Sequence, residues 1–234
     1  MAKRSKRYKK AAELIEEGKT YSLTEAVGVI KKFPTTKFDE TVSIAFKLGI
    51  DPKKSDQMVR GTCPLPHGSG KDVRVICFAQ GEAAKAAEAA GADKVGFAEL
   101  VEEIKAGFMD FDAVVATPDA MSEVRKLGRQ LGPRGLMPNP KTGTVTDDTA
   151  GAIKAVKAGR VDFKLDKNGN VAVTVGKTSF SLEHLGENVS AVINSVEAAK
   201  PVTAKGRYIL SGTLSASMSP GVPLEASTFT SESA

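Results

Sequence analysis

Between Val73 and Lys157 the chain alternates short, dense apolar runs with amphipathic, alanine-rich stretches. No other feature restricts the fold as much. Val73-Arg74-Val75-Ile76-Cys77-Phe78-Ala79 predicts a strand, 82–90 a helix closed by Gly91, and the residues near Val95 a short strand. A helix over 98–106, a strand at Ala113-Val114-Val115-Ala116, a helix from Pro118 to Leu131 and a helix over 147–158 complete the series. Strands that alternate with helices call for a parallel sheet, because each crossover helix packs back onto a sheet face.

The flanking segments have a different texture. Helices are predicted over 8–17 and 22–33, the second with Ser22 as cap, Glu25 at capping-box spacing and Pro34 as the stop. Thr41 to Leu48 alternates as a half-buried strand does, and Arg60 to Leu65 is a further strand. Val161–Leu165 and Val171–Val175 flank Asp166-Lys167-Asn168-Gly169-Asn170, and Asn-Gly between alternating runs signals a hairpin. A helix over 181–199 stops at Pro201, and a strand covers 206–214. The fold class expected is therefore mixed α/β and α+β. A discontinuous α+β domain (1–67 plus 160–222) receives an inserted, Rossmann-like three-layer α/β domain (68–159). Two connections between them favour a hinge. The Ser/Thr-rich tail, 223–234, reads as disordered.

Composition removes several function classes. A chain of 234 residues with 41% hydrophobic content and no Trp supports aliphatic cores. No apolar run approaches the roughly 20 residues that span a bilayer, and the basic N-terminus lacks the apolar region of a secretion signal. Cys63 and Cys77 fall outside any CxxC pattern and read as thiols in a reducing compartment; with His67 and His184 as the two histidines, metal ligands are too scattered. Neither a metal nor another cofactor is expected. The charge is uneven. Residues 68–159 hold twelve basic and thirteen acidic side chains, while the rest hold 21 basic against 15 acidic. Six basic residues lie within 1–10, as in an arm that settles on phosphates. A basic surface suits a polyanion such as nucleic acid.

Half of the twelve residues from Gly132 to Gly143 are Gly or Pro. Proline lacks the N–H and fixes φ, so this is a stiff loop and not an element interior. It carries Arg134, Lys141 and the apolar pair Leu136 and Met137, as if presented to a partner. Pro66-His67-Gly68-Ser69-Gly70-Lys71 departs from a phosphate loop. Leu65 stands where Gly is needed, Asp72 stands where Ser or Thr is needed, and the glycines precede a strand. No nucleophile–base set stands out, so an enzyme is not expected.

The stretch LGPRGLMPNPKTGTV (131–145) resembles the signature of the ribosomal protein L-one family. KFDETVSIAFKLGIDPKKSDQMVRGTCPLPHGSGK (37–71), FDAVVATPDAM (111–121), KAGRVDF (157–163), AAKPVTAKG (198–206) and SMSPGV (217–222) resemble it in the same order. The resemblance runs from about Tyr8 to Val222. It implies a cytoplasmic protein of the large ribosomal subunit, a monomer when free, with no membrane association. It further implies binding to 23S rRNA at the mobile stalk, contact with exit-site tRNA during its release, and repression of the chain's own operon mRNA.

The site residues carry both readings. From chemistry alone Phe38 suits a core position at a strand start; the resemblance places RNA contacts there, with Lys37 on a phosphate and Thr41 beside it. Ser217, Met218 and Ser219 allow close approach to ribose, the hydroxyls meeting 2′-hydroxyls and Met218 packing on a sugar. The family usually has Thr at position 217, Gly at 219 and Asn at 58, where Met58 stands here. Lys164, Asp166 and Lys167 are expected to add a third edge to the same surface. Arg134, Met137 and Lys141 form a second candidate contact with RNA or tRNA, or a brace. An α/β enzyme that binds a small molecule and a non-specific basic RNA-binding protein remain the alternatives.

Overall fold

The computed structural model describes residues 4–16, 18–34 and 36–229, without the side chains of Ser55 and Lys141. The chain divides into two compact units. The first comprises the residues up to Gly70 and from Val161 onward, and the second is Lys71–Arg160.

The N-terminal half of the first unit contributes α1 (Lys6–Ala12), α2 (Leu23–Lys32), β1 (Thr41–Leu48) and β2 (Arg60–Cys63). Helix α1 starts before the expected position because the Ser5 hydroxyl accepts from the Tyr8 N–H and caps it. So Lys6 to Lys10 belong to a helix and not to a loose arm; Lys3, of the same basic run, lies outside the described residues. Helix α2 has the capping box that the sequence predicts. Ser22 Oγ accepts from Glu25 N–H at 3.4 Å while Glu25 accepts from Ser22 N–H at 3.2 Å. Phe33 then turns extended ahead of Pro34. In β1 the even positions Val42, Ile44, Phe46 and Leu48 are buried, as the alternation requires.

The second unit follows with β3 (Val75–Phe78), α3 (Gly81–Ala89), β4 (Lys94–Gly96), α4 (Ala98–Lys105) and β5 (Ala113–Ala116). Next come α5 (Met121–Val124), α6 (Gly128–Leu131) and α7 (Thr149–Lys157). The three strands pair in parallel in the order β4-β3-β5. Central β3 is buried on both faces. Ile76 and Phe78 pack with Leu100, Ile104 and Leu127, whereas Val75 and Cys77 pack with Ala87, Ile153 and Val156. This is the three-layer arrangement expected. The single helix expected from Pro118 to Leu131 is instead broken. A 3-10 turn at Arg125–Leu127 separates α5 from α6, and Gly128, a poor helix former, opens the second piece. Burial raises the Cys77 thiol to about 11, an inert buried cysteine.

The chain returns to the first unit as β6 (Val161–Lys164), β7 (Asn170–Lys177), α8 (Leu182–Ala198), β8 (Ile209–Ala216) and β9 (Val222–Pro223). An antiparallel sheet of order β7-β1-β8-β9 forms, and α2 and α8 bury Val27, Ile30, Val189 and Val192 in its core. The predicted Asn-Gly turn is present, closed by Asp166 N–H to Asn170 C=O at 2.8 Å, with Gly169 at φ +78°. Its two strands do not share a sheet, however. β6 pairs with β2 and β7 with β1.

The tail corrects the expectation of disorder from residue 223. Pro223 pairs with Thr213, and Leu224 N–H bonds Gly212 C=O at 2.9 Å. Phe229 is buried edge-on against Phe46, with ring centroids 5.8 Å apart. Leu224 and Phe229 are few enough to be lost in a Ser/Thr-rich composition, yet each fills a core position. Residues 230–234 lie outside the described residues.

Candidate nucleic-acid interface

Antiparallel pairing of β1 with β8 sets Val42 opposite Ala216, so the residues that precede β1 meet those that follow β8. Ser217 N–H and hydroxyl both reach the Thr41 carbonyl, at 3.1 and 3.2 Å, and Thr41 N–H lies 3.3 Å from the same hydroxyl. From the other side, Lys177 at the end of β7 donates to the Thr41 hydroxyl at 2.9 Å. On this seam Phe38 is 54% and Met218 53% exposed, both large apolar side chains at the surface. An open cleft of about 450 Å³, lined by Phe33, Lys37, Phe38, Asp39 and Ser219, runs beside them.

Two carboxylates organise the seam. Burial would push the Asp39 carboxyl up. It is nevertheless held below the ordinary value by the hydroxyls of Ser179 and Thr178, the Ser179 N–H and the charge of Lys177. Glu40 is 5% exposed. Its carboxylate accepts from Met218 N–H at 2.9 Å, Ser219 hydroxyl at 3.4 Å and the Arg7 guanidinium at 3.4 Å. Arg7 also donates to the Met218 carbonyl at 2.8 Å. Arg7 therefore faces the protein, not an open phosphate site. Sequence reasoning left Glu40, Arg7 and Lys177 out of the site. A signal for Glu40 existed: the buried even positions of β1 extend back to it, which puts a carboxylate at a core-facing place.

The structure brings together Lys37, Phe38, Thr41, Ser217, Met218 and Ser219, but not Lys164, Asp166 and Lys167. Lys47 pairs with Asn170 whereas Thr41 pairs with Lys177, so the Asp166–Asn170 turn sits at the opposite end of β1. At about 3.3 Å per residue the separation is about 20 Å. The third edge expected on one surface is thus a separate patch, because register and not turn chemistry decides where a loop lies. Asp166 itself accepts from the N–H groups of Asn170 and Asn168, at 2.7 and 2.8 Å, and these bonds hold its carboxyl low.

In the second unit, Leu136 and Met137 are half-buried and pack against their own core, whereas Arg134 is exposed. The loop is pinned internally by Asn139 N–H to Thr144 hydroxyl at 2.9 Å and Thr142 hydroxyl to Asn139 carbonyl at 3.0 Å. The expected apolar tip is therefore a core plug. The Lys141 side chain lies outside the described residues. The 66–68 turn is held by Asn188, which accepts from His67 N–H at 3.1 Å and donates to Gly68 C=O at 3.1 Å. Among the described residues no three His, Cys, Asp or Glu side chains are grouped to hold a metal, and no helix is long and apolar enough to cross a membrane.

The model of the ribosomal protein L1p/L10e family matches residues 30–220. The chain belongs to that family. Its relatives include the large ribosomal subunit protein uL1 of Beutenbergia cavernae, 55% identical over 97% of this chain and 95% of the relative. The protein of the same name from Bifidobacterium longum subsp. infantis is 51% identical over 97% of this chain and 99% of the relative. That of Thermobifida fusca is 55% identical over 95% of both. This is a family of structural ribosomal proteins and not of enzymes.

Proposed function

We propose that this chain is a cytoplasmic, structural protein of the large ribosomal subunit that binds 23S rRNA at the mobile stalk through the β1/β8 seam. The observation that carries the reading is the seam itself. Two exposed apolar side chains, Phe38 and Met218, flank hydroxyls and Lys37 at strand ends that the sheet fixes in place. Phe38 and Met218 would pack on sugars, free hydroxyl lone pairs would meet 2′-hydroxyls, and Lys37 would lie on a phosphate. Such a surface reads the shape of a folded RNA and not a duplex sequence.

The fuller reading has two more parts. The same seam would hold the chain's own operon mRNA, so free protein would repress its synthesis and the two RNAs would compete. The chain passes between its units twice, at Gly70–Lys71 and at Arg160–Val161. Such a double crossing would let the second unit move with exit-site tRNA, Arg134 being its exposed basic candidate, while the first stays on rRNA. The test is competition binding near physiological salt, with the labelled stalk fragment of 23S rRNA against bulk tRNA and a scrambled fragment. Phe38→Ala is expected to weaken binding roughly five- to 150-fold, since stacking or packing on one nucleotide contributes about 1–3 kcal/mol. Binding abolished by any RNA would reduce the surface to a non-specific basic one.

A further inference from the structure

A surface that meets a polyanion gains nothing from a carboxylate by electrostatics alone. Yet Glu40 is buried directly beneath the Ser217–Ser219 loop. Its contacts account for it. One oxygen accepts the Met218 N–H at 2.9 Å and the Ser219 hydroxyl at 3.4 Å, and the other faces Arg7 at 3.4 Å. Arg7 closes the ring by donating to the Met218 carbonyl at 2.8 Å. Both backbone polar groups of Met218, its N–H and its C=O, are thus held from below, and the exposed Met218 side chain has its backbone fixed before any RNA arrives. The loop itself follows β8 and, after Ser217, has no sheet or helix partner; its own backbone closes it with one turn bond, Ser219 N–H to Ala216 C=O at 3.1 Å, which leaves both polar groups of Met218 to Glu40 and Arg7.

We propose that Glu40, with Arg7, is a positioning residue for RNA recognition. It preorganises the Met218 loop, and Arg7 serves this clamp instead of a phosphate. The inference rests on the reading that the β1/β8 seam is the RNA surface. Preorganisation raises affinity by removing an ordering cost at binding, and it leaves the number of neutralised phosphates unchanged. Electrostatics and positioning therefore make opposite forecasts. Removing a carboxylate beside RNA should tighten binding if charge alone matters, and should weaken it if the clamp matters.

The experiment measures affinity of the full chain for the 23S stalk fragment across a salt series, together with thermal unfolding. The variants are Glu40→Ala, Glu40→Gln, Arg7→Ala, Met218→Ala, Phe38→Ala, the double variant Glu40→Ala/Met218→Ala, and Val171→Ala as a core control away from the seam. Glu40→Ala is expected to bind roughly ten- to a hundredfold more weakly, the scale of lost hydrogen bonds to a charged group. Glu40→Gln, which keeps an acceptor for Met218 N–H, should lose less. Arg7→Ala should weaken binding without the reduction of about one in salt slope that loss of a phosphate contact gives. On the Met218→Ala background the Glu40 effect should shrink. Val171→Ala should lower stability and leave affinity alone. The proposal is overturned if the Glu40 variants bind as tightly as wild type or more so, if their loss adds fully to that of Met218→Ala, or if Arg7→Ala changes the slope by about one. Should Glu40→Ala fail to fold, Glu40→Gln and Arg7→Ala decide alone. If Met218→Ala and Phe38→Ala both bind like wild type, the RNA-surface reading has failed, a result distinct from failure of the clamp.

Discussion

The Ser219 hydroxyl turns inward to the Glu40 carboxylate at 3.4 Å. A long hydrogen bond of this kind contributes little, so Ser219→Gly is expected to cost under about 1 kcal/mol in unfolding free energy. RNA affinity should stay within about threefold of wild type, a difference below one hydrogen bond. A larger loss in filter binding would mean that the serine hydroxyl reaches RNA. Asp39 gives a pH signature on the same seam. Burial opposes its charge, but the Ser179 and Thr178 hydroxyls, the Ser179 N–H and Lys177 favour it, and the folded value lies below the ordinary 3.8. The stability it contributes is therefore fully present above that ordinary value and is lost as pH falls through the lower folded one. Melting curves of wild type and Asp39→Asn should differ at neutral pH and converge in acid. Curves that stay parallel down to acid would show that Asp39 adds no pH-linked stability. At this scale much was readable. The family resemblance named Phe38, Ser217 and Met218, which lie along one seam; Glu40 was not named, although the parity of β1 turns it toward the core, and Arg7 looked like any residue of a basic run.

Elements were legible where the pattern is local. The β1 alternation, the Ser22–Glu25 cap and the β-α series of the second unit are each written within a dozen residues or so. Pairing between distant segments was not. Asn-Gly marks a turn, but nothing in 161–175 says that β6 will join β2 and β7 will join β1. The C-terminal segment is the clearest miss, and its packing makes a test. Gly212 lies under the Phe229 ring, where an added Cβ would stand 2.3 Å from Cζ. Phe229→Ala should destabilise by about 3–5 kcal/mol, the usual cost of emptying a buried aromatic site. Gly212→Ala should cost about 1–3 kcal/mol through overpacking. The two share one volume, so the double variant should lose clearly less than the sum. Additive losses in urea unfolding would mean that residues 226–229 do not seat on β8.

At the scale of the whole molecule, charge and register together set how RNA can be engaged. The positive excess lies in the two chain ends, outside residues 68–159, and the first unit presents it at two ends of one sheet. Lys37 belongs to the seam, whereas Lys167 belongs to the turn about 20 Å away along β1, and Lys164 ends β6 just before that turn. If a folded rRNA element spans both, each lysine on a phosphate contributes one counterion released, and Lys37→Ala and Lys167→Ala should each lower the salt slope by about one. Their effects should add, because sites that far apart share no partner. Phe38→Ala and Met218→Ala should couple, because both side chains serve one seam. A Lys167→Ala variant with unchanged affinity and slope would confine the RNA to the seam. The turn built by Asp166 would then be a feature of the fold, and recognition would rest on the strand ends that β1 and β8 bring together.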